Sequence, residues 1–310
     1  MYRYILNRLI LIIPILLGVT LIIFGIMELT PGDPASIILG AGADQEAIDM
    51  LNEELGYNRP VWERYTAYIY NVVTKLDFGT SYRTRLPVFE SIKDRIPVSV
   101  QLALSTILFA SIVGIPIGVI SAVKQYTPLD TVPTVISLFL AALPGFWMGM
   151  MMLYFFSLKL GWFPSNGVGT WKHFILPMIS LGLPYAGQEM RFTRSSMLET
   201  TRQDYVRTAR AKGATERIVI WKHALKNALL PVITVTGGNF GALLGGAVVT
   251  ETLFNIPGLG SLVVTSIKLK DVPMVMGCTL VLATMFSLIL LGVDLLYAMI
   301  DPRIKAKYSK

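Results

Sequence analysis

Residues Asp204–Pro231 read DYVRTARAKGATERIVIWKHALKNALLP, and long apolar segments lie on both sides of them. The segment is strongly basic, yet its apolar side chains recur roughly once per helical turn. Gly213 can adopt the left-handed conformation that ends a helix. A second helix, at about Ile218–Asn227, is then predicted to run into the next apolar segment near Pro231. The sequence therefore predicts a helix–glycine–helix unit between two membrane spans.

The composition places the chain in a membrane. Its 310 residues are 53% hydrophobic and only 15% charged, with a mean hydropathy of +0.59, which is unusual for a soluble domain. We therefore expect an all-α polytopic membrane protein with about six transmembrane helices, each needing about 20 mainly apolar residues. The six predicted spans are Leu9–Met27, Val98–Val123, Val132–Leu158, Phe174–Phe192, Leu229–Thr250 and Met276–Ile300.

These spans divide the chain into an N-terminal helix, an extracytoplasmic insertion, a transmembrane core and a short cytoplasmic tail. The corresponding residues are 1–28, 29–97, 98–304 and 305–310. The first apolar run, of about 19 residues, is longer than a usual signal-peptide core and is interpreted as a retained span. Within the insertion, Asp44–Leu55 and Pro60–Leu76 are predicted to be short helices. The insertion is either a cap on the outer leaflet or a docking surface for an external partner.

Lysine and arginine are distributed unevenly along the chain, which predicts its orientation. With the N-terminus inside, the inner segments hold 16 of the 27 basic residues and 5 of the 20 acidic residues. The segment 28–97 holds 7 basic and 11 acidic residues, which suits the outside. We therefore expect both termini in the cytoplasm. The net charge of +7 then reflects membrane topology and requires no nucleic acid partner.

The sequence carries no motif for catalysis or for nucleotide binding. It contains no Gly-Lys dipeptide, so a phosphate-binding loop of the G-x-x-x-x-G-K-[ST] type is excluded. Neither H-E-x-x-H nor G-x-S-x-G occurs. His173 and His223 are predicted on opposite sides of the membrane, which disfavours a histidine metal site. We expect a non-enzymatic chain that binds no cofactor or metal of its own.

Ionisable groups in membrane spans are costly and indicate function by default. Glu189, Glu251 and Asp294 are therefore candidate gate or path residues. The alternative is that each satisfies a neighbouring arginine at the membrane interface. Glycines also recur four residues apart in three spans, which favours close helix packing over pore lining. These glycines are Gly114 and Gly118, Gly145 and Gly149, and Gly237, Gly241 and Gly245.

Several motifs resemble one family of membrane proteins. Thr208-Ala209-x-x-x-Gly213, later followed by Leu230-Pro231, resembles the EAA loop of ABC importer permeases. Other matches run in order along nearly the whole chain and resemble the B-type permease of dipeptide, oligopeptide and nickel importers. They are Leu29-Thr-Pro-Gly-Asp-Pro34, Leu55-Gly-Tyr-Asn-Arg-Pro60, Phe78-Gly-Thr-Ser81, Gly145-Phe-Trp147, Leu160-Gly-Trp-Phe-Pro164, Glu251-Thr-Leu-Phe254, Pro257-Gly-Leu-Gly260 and Asp301-Pro-Arg-Ile304.

The resemblance implies the type I ABC importer permease fold and a heteromeric importer in the inner membrane. The implied partners are a homologous second permease subunit, two cytoplasmic ATPase subunits that bind ATP and magnesium, and an extracytoplasmic solute-binding protein. The implied function is half of the translocation path for di- or oligopeptides, by alternating access. Nickel, metallophores and glutathione-like solutes are alternatives within the class. A secondary transporter or channel without an ATPase is the alternative from another class.

In that family the first helix of the EAA loop, which corresponds to part of 195–228 here, inserts into a groove of an ATPase subunit. The resemblance therefore implies an ATPase-coupling surface in which Tyr205, Val206 and Ala209 are the expected anchors. Arg207, Thr208, Arg210, Lys212 and the elbow residue Gly213 complete this surface. Arg207 stands where the family motif has an acidic residue. The spacing from Gly213 to Pro231 exceeds the general family spacing and resembles the longer form of the peptide branch. Taken alone, a basic amphipathic helix here is also typical of a lipid-headgroup anchor.

Overall fold

The structure, a computed structural model, describes residues 2–40 and 42–300. The predicted tail at 305–310 and the Asp301–Ile304 motif lie outside the described residues. Within them the chain is almost entirely helical, and its only β-type pairing is an isolated bridge between Thr80 and Pro87.

The helices follow one another with short connections. The first five are α1 Tyr2–Leu29, α2 Pro34–Leu39, α3 Gln45–Glu54, α4 Val61–Lys75 and α5 Val88–Lys93. The next six are α6 Ile96–Val123, α7 Pro128–Ala142, α8 Gly145–Met152, α9 Lys172–Thr201, α10 Asp204–Ala211 and α11 Glu216–Ile218. The last four are α12 Leu225–Gly246, α13 Val248–Leu253, α14 Leu259–Lys268 and α15 Val272–Ile300. A π-helical stretch, Leu153–Lys159, continues α8, and another, Val219–Ala224, joins α11 to α12.

Four helical stretches of the described chain are long and apolar enough to cross a membrane, and a bent pair would make a fifth. The four are Ile5–Leu29, Val88–Val123, Glu216–Gly245 and Val272–Leu295. The predicted fourth span, Phe174–Phe192, lies within α9, which is not among them. The count of six spans therefore stays a prediction.

The predicted third span, Val132–Leu158, is broken beside Pro144 into two helices. The α7 helix and the helix that begins at Gly145 meet at an angle of 101°. Leu143 between them is extended (φ −79°, ψ 132°) and precedes Pro144. Proline disfavours the α conformation of the residue before it, so the chain leaves the helix at this point.

The α6 and α9 helices form the most extensive helix–helix contact of the bundle. A Cβ atom on Gly114 would lie 2.5 Å from the carbonyl oxygen of Ala186, and one on Gly118 would lie 2.6 Å from that of Met190. Because only glycine leaves this space, the two backbones touch. The predicted packing role of Gly114 and Gly118 is confirmed. Gly237 and Gly241 leave room on α12 for the Val293 and Phe286 side chains of α15.

Two buried charges fix the segment between α1 and α6 to the loop before α15. Lys270, 2% exposed, donates to the backbone carbonyl of Thr30 at 2.5 Å. Asp271, 3% exposed, accepts hydrogen bonds from the Ser81 hydroxyl and from the Tyr82 backbone N–H. Buried charges are tolerated only with such partners. The segment is therefore held tightly onto the bundle.

Glu251 holds together α6, α13 and the turn before α14. Its buried carboxylate accepts hydrogen bonds from the Ser99 hydroxyl at 2.6 Å and from the Ser261 backbone N–H at 2.9 Å. The Ser99 oxygen in turn accepts the N–H of Leu259 at 2.8 Å. A Cβ atom on Gly258 would lie 2.3 Å from the carboxylate, so the turn closes directly over Glu251. We call this arrangement the Glu251 clasp.

We expect Gly258→Ala to lower the free energy of unfolding by about 1–3 kcal/mol, because the added methyl group has no room beside Glu251. Gly258 has φ −97°, so the effect is steric and not one of backbone conformation. Gly238→Ala is the control, because nothing lies within 4 Å of the added methyl group, and it is expected to be neutral or slightly stabilising. Thermal unfolding in detergent measures both variants. Equal melting temperatures for Gly258→Ala and the wild type would contradict the clasp.

Candidate functional site

The α10 helix is the first arm of the elbow predicted around Gly213. It follows Gln203, which is extended (φ −72°, ψ 150°), and its last residue is Ala211. Gly213 has φ +82°, the left-handed conformation predicted for it. The second arm begins at Glu216 and continues through the π-helical turn into α12. The helix–glycine–helix unit is therefore present.

One side chain of α10 points into the protein. Val206 is fully buried, and α10 contacts α9 and the π-helical turn Val219–Ala224. Val206, expected from the sequence as part of an external anchor, instead lies inside its own chain. Its burial holds α10 in place. The outward-facing surface of α10 is therefore formed by the residues beside Val206.

The outer face of α10 combines an aromatic ring with basic groups. Tyr205 is 43% exposed and Ala209 is partly exposed. The remaining residues of the predicted surface are all exposed: Arg207, Thr208, Arg210, Lys212 and Gly213. Arg210 pairs with Glu216 across the elbow at 2.7 Å, and Arg207 faces Asp204 at 3.8 Å. Exposed ion pairs of this kind contribute little to stability, so the basic groups can engage a partner.

Two exposed apolar side chains lie just beyond the elbow. Ile218 is 46% exposed and Trp221 is 52% exposed. The sequence analysis did not single them out, although an apolar residue within a basic segment was the available signal. They enlarge the apolar surface that the elbow offers to a partner or to a lipid surface.

The elements that α10 contacts are joined by an apolar cluster of α6, α9, the π-helical turn and α12. Its members are Val119, Ala122, Met197, Ala224 and Ala228. The Ser196 hydroxyl of α9 donates to the Ala228 carbonyl of α12 at 2.8 Å. A displacement of α10 would therefore act on α9 and α12 together.

A buried ion pair lies between α7 and α9. Asp130, 4% exposed, accepts hydrogen bonds from Arg194 Nε at 2.5 Å and Nη2 at 2.7 Å. It also accepts the Ser121 hydroxyl and the Tyr126 backbone N–H. This bidentate geometry is the strong form of an arginine–carboxylate pair. The sequence analysis counted both partners only as charges of cytoplasmic segments. The signal that could have indicated a buried pair was an acidic residue just after Pro128, at the start of a helix.

The three acidic path candidates lie in three different settings. Glu251 forms the clasp described above and serves the packing of the bundle. Asp294 on α15 pairs with Arg8 on α1 at 3.0 Å, which matches the alternative of a neighbouring arginine. For these two residues the structure supplies a local role.

Glu189 differs from the other two. It is fully buried, and neither carboxylate oxygen has a hydrogen-bond partner among the described residues. Its polar neighbours are Ser111 of α6 and Thr236 of α12, and both line a cavity of about 360 Å³ between α6, α12 and α15. A buried carboxylate without hydrogen bonds is costly. Folding alone does not explain this residue.

Comparison with known families identifies the chain. The model of the binding-protein-dependent transport system inner membrane component matches residues 114–306, and the model of the corresponding N-terminal region matches residues 1–103. The chain belongs to this family. It is an inner-membrane permease subunit of an ABC importer.

Relatives of this permease match along their whole length. The dipeptide transport system permease protein DppB of Alkalihalophilus pseudofirmus is 42% identical, over 98% of this chain and 100% of that protein. The glutathione transport system permease protein GsiC is 41% identical in Salmonella typhi and 40% identical in Escherichia coli K12. Both GsiC alignments cover 99% of this chain and 100% of the relative.

Solved structures show the fold of the permease. A chain of the MetNI methionine ABC transporter in inward-facing conformations matches with a TM-score of 0.59 at 18% identity, covering 68% of this chain and 97% of that one. A chain of an amino acid ABC transporter matches with a TM-score of 0.52 at 12% identity, covering 69% and 94%. The chain therefore has the all-α type I ABC importer permease fold.

We expect Glu189→Met to leave the thermal stability of the permease unchanged or to raise it, because an apolar side chain of similar volume replaces a buried carboxylate without hydrogen bonds. Uptake by the reconstituted importer is expected to fall about tenfold or more, as for an intramembrane carboxylate retained for function.

Glu251→Gln is the matched comparison for this variant. It replaces one acceptor oxygen of the clasp by a donor and is expected to lower the free energy of unfolding by about 1–3 kcal/mol. Thermal unfolding and uptake are measured on both proteins. A Glu189→Met protein that is destabilised, or that transports at the wild-type rate, would contradict a path role for Glu189.

Proposed function

We propose that this chain forms half of the translocation path of an ATP-driven peptide importer. The observation that carries the proposal is the α10 elbow, whose position is fixed by buried Val206 and by Gly213 at φ +82°. It presents an exposed Tyr205 among basic side chains. The match to a dipeptide permease along the whole chain supports peptides as the solute.

The proposed importer contains four further subunits. A homologous second permease subunit completes the path, and an extracytoplasmic solute-binding protein delivers the solute, in keeping with the description of the family. Two cytoplasmic ATPase subunits bind ATP and magnesium, since this chain has no phosphate-binding loop. Energy then reaches the permease only through contacts with the ATPases.

The proposed orientation has both termini in the cytoplasm. The excess of lysine and arginine in the segments around α10 supports it. Residues 29–97 then lie outside, the core is formed by 98–304, and 305–310 form the cytoplasmic tail. In this arrangement α10 faces the ATPases, and the Glu251 clasp lies towards the side from which the solute enters.

The proposed mechanism is alternating access. Closure of the ATPases on ATP pushes α10, which contacts α9 and the π-helical turn Val219–Ala224. Such turns often mark functional sites in helices, and this one joins the elbow to the long helix α12. The push is thereby passed to two helices of the bundle, which open towards the outside. Hydrolysis returns them to the inward-facing arrangement.

A second candidate solute is a glutathione-like tripeptide, because relatives named as glutathione permeases are 40–41% identical along the whole chain. Nothing among residues 2–40 and 42–300 favours nickel or a metallophore. A secondary transporter or channel would leave the exposed elbow without a role.

Tyr205→Asp combined with Ala209→Glu is expected to abolish co-purification of the candidate ATPase subunits, because two carboxylates then occupy the apolar centre of the α10 surface. The variant should insert and unfold like the wild type, since neither side chain is buried. Co-purification from membranes, with a thermal unfolding curve for each protein, measures both properties.

Trp62→Asp is the matched control, because Trp62 is 70% exposed on α4, far from the elbow in sequence. It is expected to retain the ATPases. If the double variant binds them as well as the wild type does, α10 is a membrane anchor and the proposed coupling is refuted.

A further inference from the structure

A cavity of about 800 Å³ lies beside the Glu28 end of α1. Its walls come from α1, α3, α4 and the start of α15, and they include Phe24, Glu54 and Pro273. Pockets for small molecules commonly have volumes of about 300–1,000 Å³. The cavity is therefore large enough for a ligand of peptide size.

The wall around Arg64 is fixed by its own contacts. Arg64 pairs with Glu28 at 2.7 Å, and its guanidinium carbon lies 4.6 Å from the centre of the Tyr57 ring and 5.7 Å from that of Phe24. Lys270, which is buried, lies 5.7 Å from the centre of the same Tyr57 ring. Arg64 and Lys270 already have partners, so they hold the wall in place. Binding of a ligand is left to other groups of the lining.

Two other charged groups of the lining lack partners within the described part of the chain. Arg59 and Glu63 line the cavity, are exposed, and form no ion pair with each other or with another described side chain. The cavity thus offers one cation and one anion that no described side chain neutralises.

We propose that this cavity is a binding site for a zwitterionic peptide, in which Arg59 binds the terminal carboxylate and Glu63 binds the terminal ammonium group. The assignment rests on the proposed function, because it takes the solute to be a peptide. It adds a binding site in the permease itself, which the proposed orientation places on the side opposite to α10.

The chemistry of the lining favours this class of ligand over a simple anion or cation. A single-sign ligand would leave either Arg59 or Glu63 without a partner, whereas a peptide carries one charge of each sign. The tyrosine rings of the lining supply apolar area beside these charges. Burial raises the pKa of Tyr82 to about 12, so its phenol stays a neutral hydrogen-bonding group.

The test is equilibrium binding of labelled dialanine to the full-length chain in lipid nanodiscs, without the solute-binding protein. N-acetyl-dialanine lacks the ammonium group, and dialanine amide lacks the carboxylate. We expect each modification to raise the Kd for the wild type about tenfold or more. Free alanine serves as a further ligand and should bind more weakly than dialanine.

Each charge-removing variant is expected to lose the discrimination against one of the two modified peptides. Arg59→Gln should bind dialanine about tenfold more weakly and no longer discriminate against the amide, while still discriminating against the acetylated peptide. Glu63→Gln should show the reverse pattern. Tyr68→Phe removes a hydroxyl that is buried away from the cavity and should bind all these ligands as the wild type does. Arg83→Gln and Glu46→Gln, exposed and outside the cavity lining, are the matched controls and should bind as the wild type does.

Uptake of dialanine by the complete reconstituted importer separates the two proposals. If uptake is normal but the folded permease does not bind dialanine, or binds it regardless of the modifications, the cavity assignment is overturned and the importer function stands. If Arg59→Gln and Glu63→Gln lose only the docking of the solute-binding protein, the cavity is a protein-docking site and the assignment is again overturned. If the importer takes up no peptide at all, the proposed function itself fails.

Discussion

Gly114 and Gly118 bring the backbones of α6 and α9 into contact, because a Cβ atom at either position would lie within 2.6 Å of a carbonyl oxygen of α9. In a lipid environment, helices associate through this kind of close packing, since burial of apolar surface gives little advantage there. The other parts of the bundle are built on this pair. One end of α6 provides Ser99 to the Glu251 clasp, and the other end provides Ser121 to the ion pair that joins α7 to α9.

The α6–α9 pair also connects the two surfaces for which we propose functions. At one end, α9 leads into α10, and the last turns of α9 pack in the cluster that contains Met197. At the other end, the buried Lys270 and Asp271 hold the segment that lines the proposed peptide cavity. Between them lies Glu189, buried beside a cavity of the bundle with Ser111 and Thr236 as its polar neighbours. A rigid pair of helices is what a push on α10 requires if it is to reach the opposite side.

Features that depend on local chemistry could be predicted from the sequence. The left-handed Gly213, the helix around Pro60–Leu76 and the packing role of Gly114 and Gly118 follow from residue type and spacing. Features that depend on long-range contacts could not. Val206 is buried only because α10 folds back against the chain. The partners of Glu251 and Asp130 are 152 and 64 residues away, at Ser99 and Arg194. Hydropathy does not record direction, so the two helices that meet at 101° beside Pro144 were joined into one predicted span.

The central claim, that α10 is the surface through which ATPase subunits act on the permease, is tested most directly by thiol labelling at position 205. Cys278 is buried, so a Tyr205→Cys protein has one accessible thiol in the described chain. A membrane-impermeant maleimide should label it in inside-out vesicles and not in intact cells, and added ATPase subunits should block the labelling. Labelling from the cell exterior, or labelling that the ATPases leave unchanged, would contradict the account.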